Sequence, residues 1–354
     1  MSTTGQTPAS CGFFQPAEWA PHRACWLAWP SHGDLWQDNL IRAQREFTAL
    51  CVAIADIGPD GNARGESLEI LVPNATARID AERALAGLPV RFHNIPFGDI
   101  WMRDIACIFL TDSHGAVANV RFKFNGWGGK YILPFDDAVS AKVAAAADMR
   151  GFEFPWILEG GSIEIDGEGT CLTTRQCLLN RNRNPGMNEA QIESGLKDAL
   201  GIRKVLWLGD GLLNDHTDGH IDTLARFVAP GVVACMKASD PANDPNHAVF
   251  EEIAQTLAGF TDAQGRTLQV VRVPSPGKIL DEEGEIMPAS YMNFYIGNST
   301  VVVPTYGSPF DEEAVQAIAR LFPRHRTVGS SAFAILSGGG AFHCITQQQP
   351  LGAQ

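Results

Sequence analysis

The chain has 354 residues, 45% hydrophobic and 19% charged, an ordinary globular make-up with enough material for a large core. Forty acidic residues against 27 basic leave a formal charge of -13; with no basic run or aromatic-interleaved basic patch, this excludes a nucleic-acid surface and favours approach of a cationic small molecule. No apolar segment is long enough to span a membrane, residues 1–10 carry no leader pattern, and eight cysteines without Cys-x-x-Cys pairs exclude a zinc ribbon or disulfide framework, so free thiols in the cytoplasm are expected.

In chain order, the tryptophan-rich stretch from Phe13 to Pro30 reads as core cladding or as the wall of a pocket for a planar or cationic ligand. Leu40, Ala43, Phe47, Leu50 and Ile54 recur at helical spacing within Asn39 to Ile57, and Leu68 to Pro73 reads as a strand. Helical patterns then begin near Thr76, Asp137, Asn188, His247 and Asp311, with two or three short β-like runs between them. A repeat of roughly 50–65 residues predicts five similar strand–helix units, which fits a cyclic α/β arrangement or a doubly wound sheet. No linker or charge block divides the chain, so one domain over 1–354 is expected, with 1–12 as a loose N-terminal stretch.

The polar groups cluster between these runs. Asp99-Ile100-Trp101-Met102-Arg103-Asp104 joins two apolar runs; Arg103 is expected to pair with a carboxylate, and Asp104 to face a pocket beside Trp101. Glu159 precedes Gly160-Gly161, whose turn has no need of an acid, whereas Asp166 to Gly169 reads as a hairpin turn and Asn180 to Pro185 as a helix-entry loop. In Asn214-Asp215-His216-Thr217-Asp218-Gly219-His220-Ile221-Asp222, an extended backbone would put His220 and Asp222 on one face as acid–base equipment. A metal site on His216 and His220 is disfavoured, because no compact third and fourth ligand accompanies them. Near the other end, Gly338-Gly339-Gly340 permits close backbone approach just ahead of His343 and Cys344, a placement that suits a nucleophile.

One cysteine, one histidine and several carboxylates fit acyl transfer poorly, since a neutral amide wants donors at its oxygen. They suit a guanidinium, whose fixed N–H groups carboxylates receive in charge-assisted pairs. The blocks Pro16 to Trp19, Asp34 to Asn39, Trp101 to Asp104, Phe124 to Gly128, Leu158 to Ile163, Asp166 to Pro185, Thr217 to Asp222, Ser290 to Ile296 and Ser337 to Pro350 together resemble the agmatine deiminases, guanidine-modifying enzymes also called bacterial-type peptidylarginine deiminases. The resemblance implies a pentein fold, five ββαβ-like units about a pseudo-fivefold axis, and hydrolysis of agmatine to N-carbamoylputrescine and ammonia. It implies Cys344 as nucleophile, His220 as proton carrier, Asp104 and Asp222 as guanidinium ligands, and Glu159 as the acid that orients His220. Trp101 would line the channel, with Asp215 and His216 toward the substrate's far end. No metal or organic cofactor is implied, and homo-oligomers are common in the family.

Three positions depart from the pattern: His216 where the family often has Glu, Ala341 where it often has Asn, and Glu164 where it often has His. They leave open a deiminase of arginine or peptidyl arginine. An amidinotransferase, a guanidine-binding protein without catalysis and a cysteine peptidase are the remaining alternatives.

Overall fold

The computed structural model describes residues 5–352. Its repeating element is a three-stranded sheet in which two antiparallel strands are followed by a helix and a third strand parallel to the second. Strands β4 (Ile108–Thr111), β5 (Val117–Lys123) and β6 (Arg150–Ile157) form one such sheet, and β7 (Glu164–Ile165), β8 (Thr170–Thr174) and β9 (Lys204–Leu208) the next. Two more follow: β10 (Ala225–Ala229), β11 (Val232–Lys237) and β12 (Gln269–Pro274), then β13 (Tyr295–Ile296), β14 (Thr300–Thr305) and β15 (Arg326–Ser331). The remaining sheet holds β1 (His22–Ala28), β2 (Ser67–Val72) and β3 (Val90–Asn94), all parallel, and takes β16 (Gln347–Pro350) antiparallel to β1. These five units realise the pentein plan, so the cyclic reading of the repeat holds and the doubly wound one does not.

The long helices fall where the periodicity places them. They are α1 (Leu40–Ala55), α2 (Ala75–Ala84), α3 (Asp136–Ala147), α4 (Glu189–Leu200), α5 (His247–Ala258) and α6 (Asp311–Ala319). Local chemistry sets their ends: Asn74 Oδ1 accepts from Ala77 N, Asn188 and Gln191 form a reciprocal capping box, and Gly201 closes α4 in the left-handed region. The strands are the apolar runs, Val301, Val302 and Val303 being fully buried, and Trp26 and Trp29 lie in the main core as cladding. Asp166 makes the expected hairpin turn, its Oδ1 accepting from Glu168 N (2.7 Å) and Thr170 N (2.8 Å). Of the stretch expected to be loose, 1–4 lie outside the described residues, while Ala9–Cys11 form a 3₁₀ turn and Phe14 bridges to Thr111. All eight cysteines are unbridged, and no helix among the described residues is long and apolar enough to cross a membrane.

In every unit the chain leaves the third strand into a segment directed at the centre. These segments span 95–107, 158–163, 209–224, 275–294 and 332–346, so each unit delivers side chains to a common place, as open α/β sheets do beyond the carboxyl ends of parallel strands. The ring closes where β16 meets β1, and there the buried Trp26 Nε1 donates to Gln349 Oε1 at 2.9 Å. Gln349→Leu strands that indole N–H in the core; we expect a loss of about 1–3 kcal/mol, read by denaturant unfolding.

Candidate functional site

Cys344 lies at the centre, 6% exposed. Asn293 holds it twice, with Nδ2 donating to Sγ (3.1 Å) and Oδ1 accepting from Cys344 N (3.2 Å), and the thiol reaches Asp222 Oδ2 at 3.5 Å. Two glycines make the crowding possible. A Cβ on Gly340 would lie 3.1 Å from Cys344 Sγ and 2.6 Å from the Trp101 ring. A Cβ on Gly161 would lie 2.6 Å from His220 Nδ1, 3.0 Å from Asp104 Oδ1 and 3.1 Å from Asp222 Oδ2. The two carboxylates and the imidazole thus converge on one missing side chain.

Each of these groups is aimed by neighbours. Asp104 accepts from Trp127 Nε1 (2.8 Å) and Gly161 N (2.9 Å), and its Oδ2 stands 3.8 Å from His220 Nδ1. Glu159 is fully buried and receives Arg183 Nε on Oε1 at 2.7 Å. Asp222 Oδ2 meets His343 Nδ1 at 2.7 Å. Trp101 Nε1 donates to Asp99 Oδ2 (2.6 Å), whose Oδ1 receives Trp36 Nε1 (3.1 Å), so one carboxylate fixes two rings of the wall. Burial pushes Asp99 up to about 6 against those N–H donors. Glu159 Oε2, Asp222 Oδ1 and both His220 ring nitrogens are buried with no hydrogen-bond partner among the described residues. Buried polar atoms are rarely left so, and this set matches a planar cation rich in N–H groups.

The structure brings the expected residues Cys344, His220, Asp104, Asp222, Glu159 and Trp101 together, but the reason given for one pair fails. Ile221–Thr223 is a 3₁₀ turn and β10 starts only at Ala225, so His220 and Asp222 meet through a tight turn and not along an extended strand. Asp215 spends its oxygens on its own loop, accepting from Thr217 N and Oγ1, Gly219 N and His220 N. His216 is exposed at the rim, its Nδ1 3.1 Å from Tyr131 Oη and close to Gly339. Ala341 acts through its backbone N–H, which favours the Cys344 thiolate. Glu164 turns away from the reacting groups to Arg226 (2.8 Å).

That Arg226 belongs to an ionic cluster the sequence did not disclose. Arg226 Nη2 donates to Glu18 Oε2 (2.5 Å) and Nη1 to the carbonyls of Met292 and Phe294; Glu18 also meets His343 Nε2 (2.9 Å) and Arg103 (3.9 Å), the partner expected for that arginine. Burial alone would raise Glu18 and Asp222, but Arg226 and His343 outweigh it for Glu18, and the hydrogen bond and charge of His343 do so for Asp222; both carboxyls are held below the usual range. Asp104 goes the other way, raised by burial and by the charges of Asp222 and Glu159 against the pull of His220. Cys344 is pushed far above the ordinary thiol range by burial and by Asp222 and Asp104. The carboxylates alone therefore oppose the thiolate, and a bound cation would relieve that opposition.

A model of the Porphyromonas-type peptidyl-arginine deiminase family matches residues 14–350. The chain is 38% identical to an agmatine deiminase of Stutzerimonas stutzeri over 373 residues, 99% of each chain, and 37% identical to one from Medicago truncatula, covering 97% of this chain and 98% of the plant protein. Among solved structures it is similar to the agmatine deiminase of Enterococcus faecalis (TM-score 0.91, 34% identity, 98% of each chain). It is also similar to a cysteine-to-serine agmatine deiminase of C. jejuni with substrate bound (TM-score 0.85, 27% identity, 97% of each chain).

Two outcomes follow from the electrostatics. Arg226→Ala leaves Glu18 and Glu164 buried without their main counter-charge, an expected loss of about 3–5 kcal/mol in denaturant unfolding. Alkylation of Cys344 in the free protein should rise with pH through and beyond pH 9 without levelling. Asp104→Asn, by removing a negative charge, should lower the thiol's pKa and speed alkylation at a given pH; an unchanged rate would assign the shift to burial alone.

Proposed function

The chain belongs to the Porphyromonas-type peptidyl-arginine deiminase family, and on that footing we propose that it hydrolyses agmatine to N-carbamoylputrescine and ammonia. The observation that carries this reading is the set of unpaired buried acceptors in the group around His220, Glu159 Oε2 and Asp222 Oδ1, with Asp222 reaching the buried Cys344 thiol through its other oxygen. A neutral amide would leave those acids uncompensated, whereas a guanidinium supplies both the charge and the donors.

In this mechanism Asp104 and Asp222 receive the guanidinium N–H groups, and the incoming positive charge removes the repulsion that keeps Cys344 protonated. The thiol proton passes to His220 while the sulfur forms a bond to the guanidinium carbon, giving a tetrahedral adduct. His220 returns a proton to one nitrogen as its bond to carbon breaks, ammonia departs, and a thiouronium remains on Cys344. Water, deprotonated by His220, then adds to the same carbon; the carbon–sulfur bond breaks and releases the ureido product and the thiol. Glu159, anchored by Arg183, orients the imidazole, and Trp101 walls the channel. Asp215 acts indirectly by fixing the His220 loop, and His216 with Tyr131 stands where the far end of the substrate passes. A homo-oligomer in the cytoplasm completes the reading; it would cover apolar side chains exposed on outer helices, such as Ile41, Val52 and Ile79, and sedimentation equilibrium measures its mass.

The decisive assay follows ammonia and ureido product from agmatine, arginine and a peptidyl arginine. Turnover is expected with agmatine, loss of turnover in Cys344→Ala, and a drop of about 10²–10⁴-fold in kcat for His220→Gln. Undiminished ammonia release by Cys344→Ala would sink the covalent route, and comparable turnover of arginine would reassign the substrate while sparing the chemistry.

A further inference from the structure

The reaction uses one thiol, yet a second lies beside its machinery. The short helix Arg175–Leu178 carries Cys177, whose backbone N–H donates to Thr174 Oγ1 (3.2 Å); that hydroxyl in turn donates to Gly219 O (2.7 Å), tying the helix to the segment that bears His220. One donor atom each from Glu159, Cys177 and His220 lies within 4.8 Å of the other two, and all three residues are fully buried. Glu159 offers its unpaired Oε2, since Arg183 occupies only Oε1, and both ring nitrogens of His220 lack a partner among the described residues. Packing alone would be served by any small apolar side chain in place of Cys177.

A thiol, an imidazole and a carboxylate together are the donor set of zinc, whereas magnesium and calcium take oxygen shells. Bond lengths of about 2.0–2.3 Å separate the ligands of tetrahedral zinc by roughly 3.3–3.8 Å, so the three atoms need only draw together by about an ångström. Asp104 and Asp222 add negative charge around the position, the same field that favours a guanidinium.

We propose that Glu159, Cys177 and His220 form an inhibitory binding site for a thiophilic divalent cation, probed with zinc. Binding replaces the Cys177 S–H bond with a sulfur–metal bond and releases the proton to solvent; the metal also occupies a nitrogen of His220 and withdraws it from proton transfer. The binding rests on geometry alone, and the inhibition rests on the deiminase reading.

Two measurements separate them. Cobalt(II), titrated into Cys344→Ala protein, which lacks the nucleophilic sulfur, should produce a thiolate-to-cobalt charge-transfer band at one equivalent, absent from the Cys177→Ala, Cys344→Ala double variant. In the turnover assay, Cys177→Ala should keep activity within a few-fold of the parent while its zinc inhibition midpoint rises tenfold or more, and magnesium at equal concentration should leave both unaffected. Cys177→Ser, of nearly the same size and a far weaker zinc ligand, serves if the alanine variant does not fold. Equal zinc sensitivity with and without Cys177 would place the metal on Cys344 and overturn the proposal, as would a missing band in Cys344→Ala or a band that survives in the double variant. A cobalt band in protein that turns over no guanidine would sustain the site while sinking the deiminase reading.

Discussion

The structure depends on Arg226, a guanidinium with no exposure to solvent, and on the acids that make its burial tolerable. Its partners come from three distant parts of the ring: Glu18 from the segment before β1, Glu164 from β7, and the Met292 and Phe294 carbonyls beside β13. Glu18 extends the cluster to His343 and Arg103, and His343 extends it to Asp222. Such an assembly adds little net stability over an apolar packing of the same volume, but removing one member leaves a charge in low dielectric. Its effect is to make the five units interdependent at the position where the reactive groups lie.

The same cluster explains how two acids, Asp222 and Asp104, coexist beside one thiol. Asp222 faces Cys344 on one side, and through its other contacts shares the positive charge gathered around His343, which holds it ionised despite full burial. Asp104 is backed by no arginine; Trp127 and Gly161 give it neutral N–H groups, and the pull of His220 does not offset burial and the charges of Asp222 and Glu159, so its charge is costly. The two carboxylates that converge on Gly161 are therefore unequal, one stabilised from behind and one that gains most from a cation placed in front. On the proposed function, an asymmetric pair of this sort would orient a guanidinium as well as bind it.

The sequence disclosed more of the architecture than of its reasons. Helix starts near Thr76, Asp137, Asn188, His247 and Asp311 lie within a residue of the observed ones, because amphipathic spacing and Asn caps are local signals. The residues gathered at the candidate site stood out as polar side chains isolated among apolar runs and in the family's blocks. His220 and Asp222 do lie together, but not by strand alternation, since Gly219 and the 3₁₀ turn after it leave no trace in alternation counting. Arg183 read as a loop cation, yet it is buried against Glu159; Glu18 and Arg226 are 208 positions apart. Pairings of that range arise only from tertiary closure, and no spacing rule reaches them.

Because Trp101 and Asp104, Glu159, His220 and Asp222, Asn293, and Cys344 follow five successive third strands, no subset of the ring contains the whole candidate site. Thermal opening is not uniform across a fold, and units loosen separately before the whole unfolds. The weakest blade, and not the average of the five, thus fixes the upper working temperature. Substitutions that strengthen the other four would raise the melting point yet leave the temperature limit of function where it was.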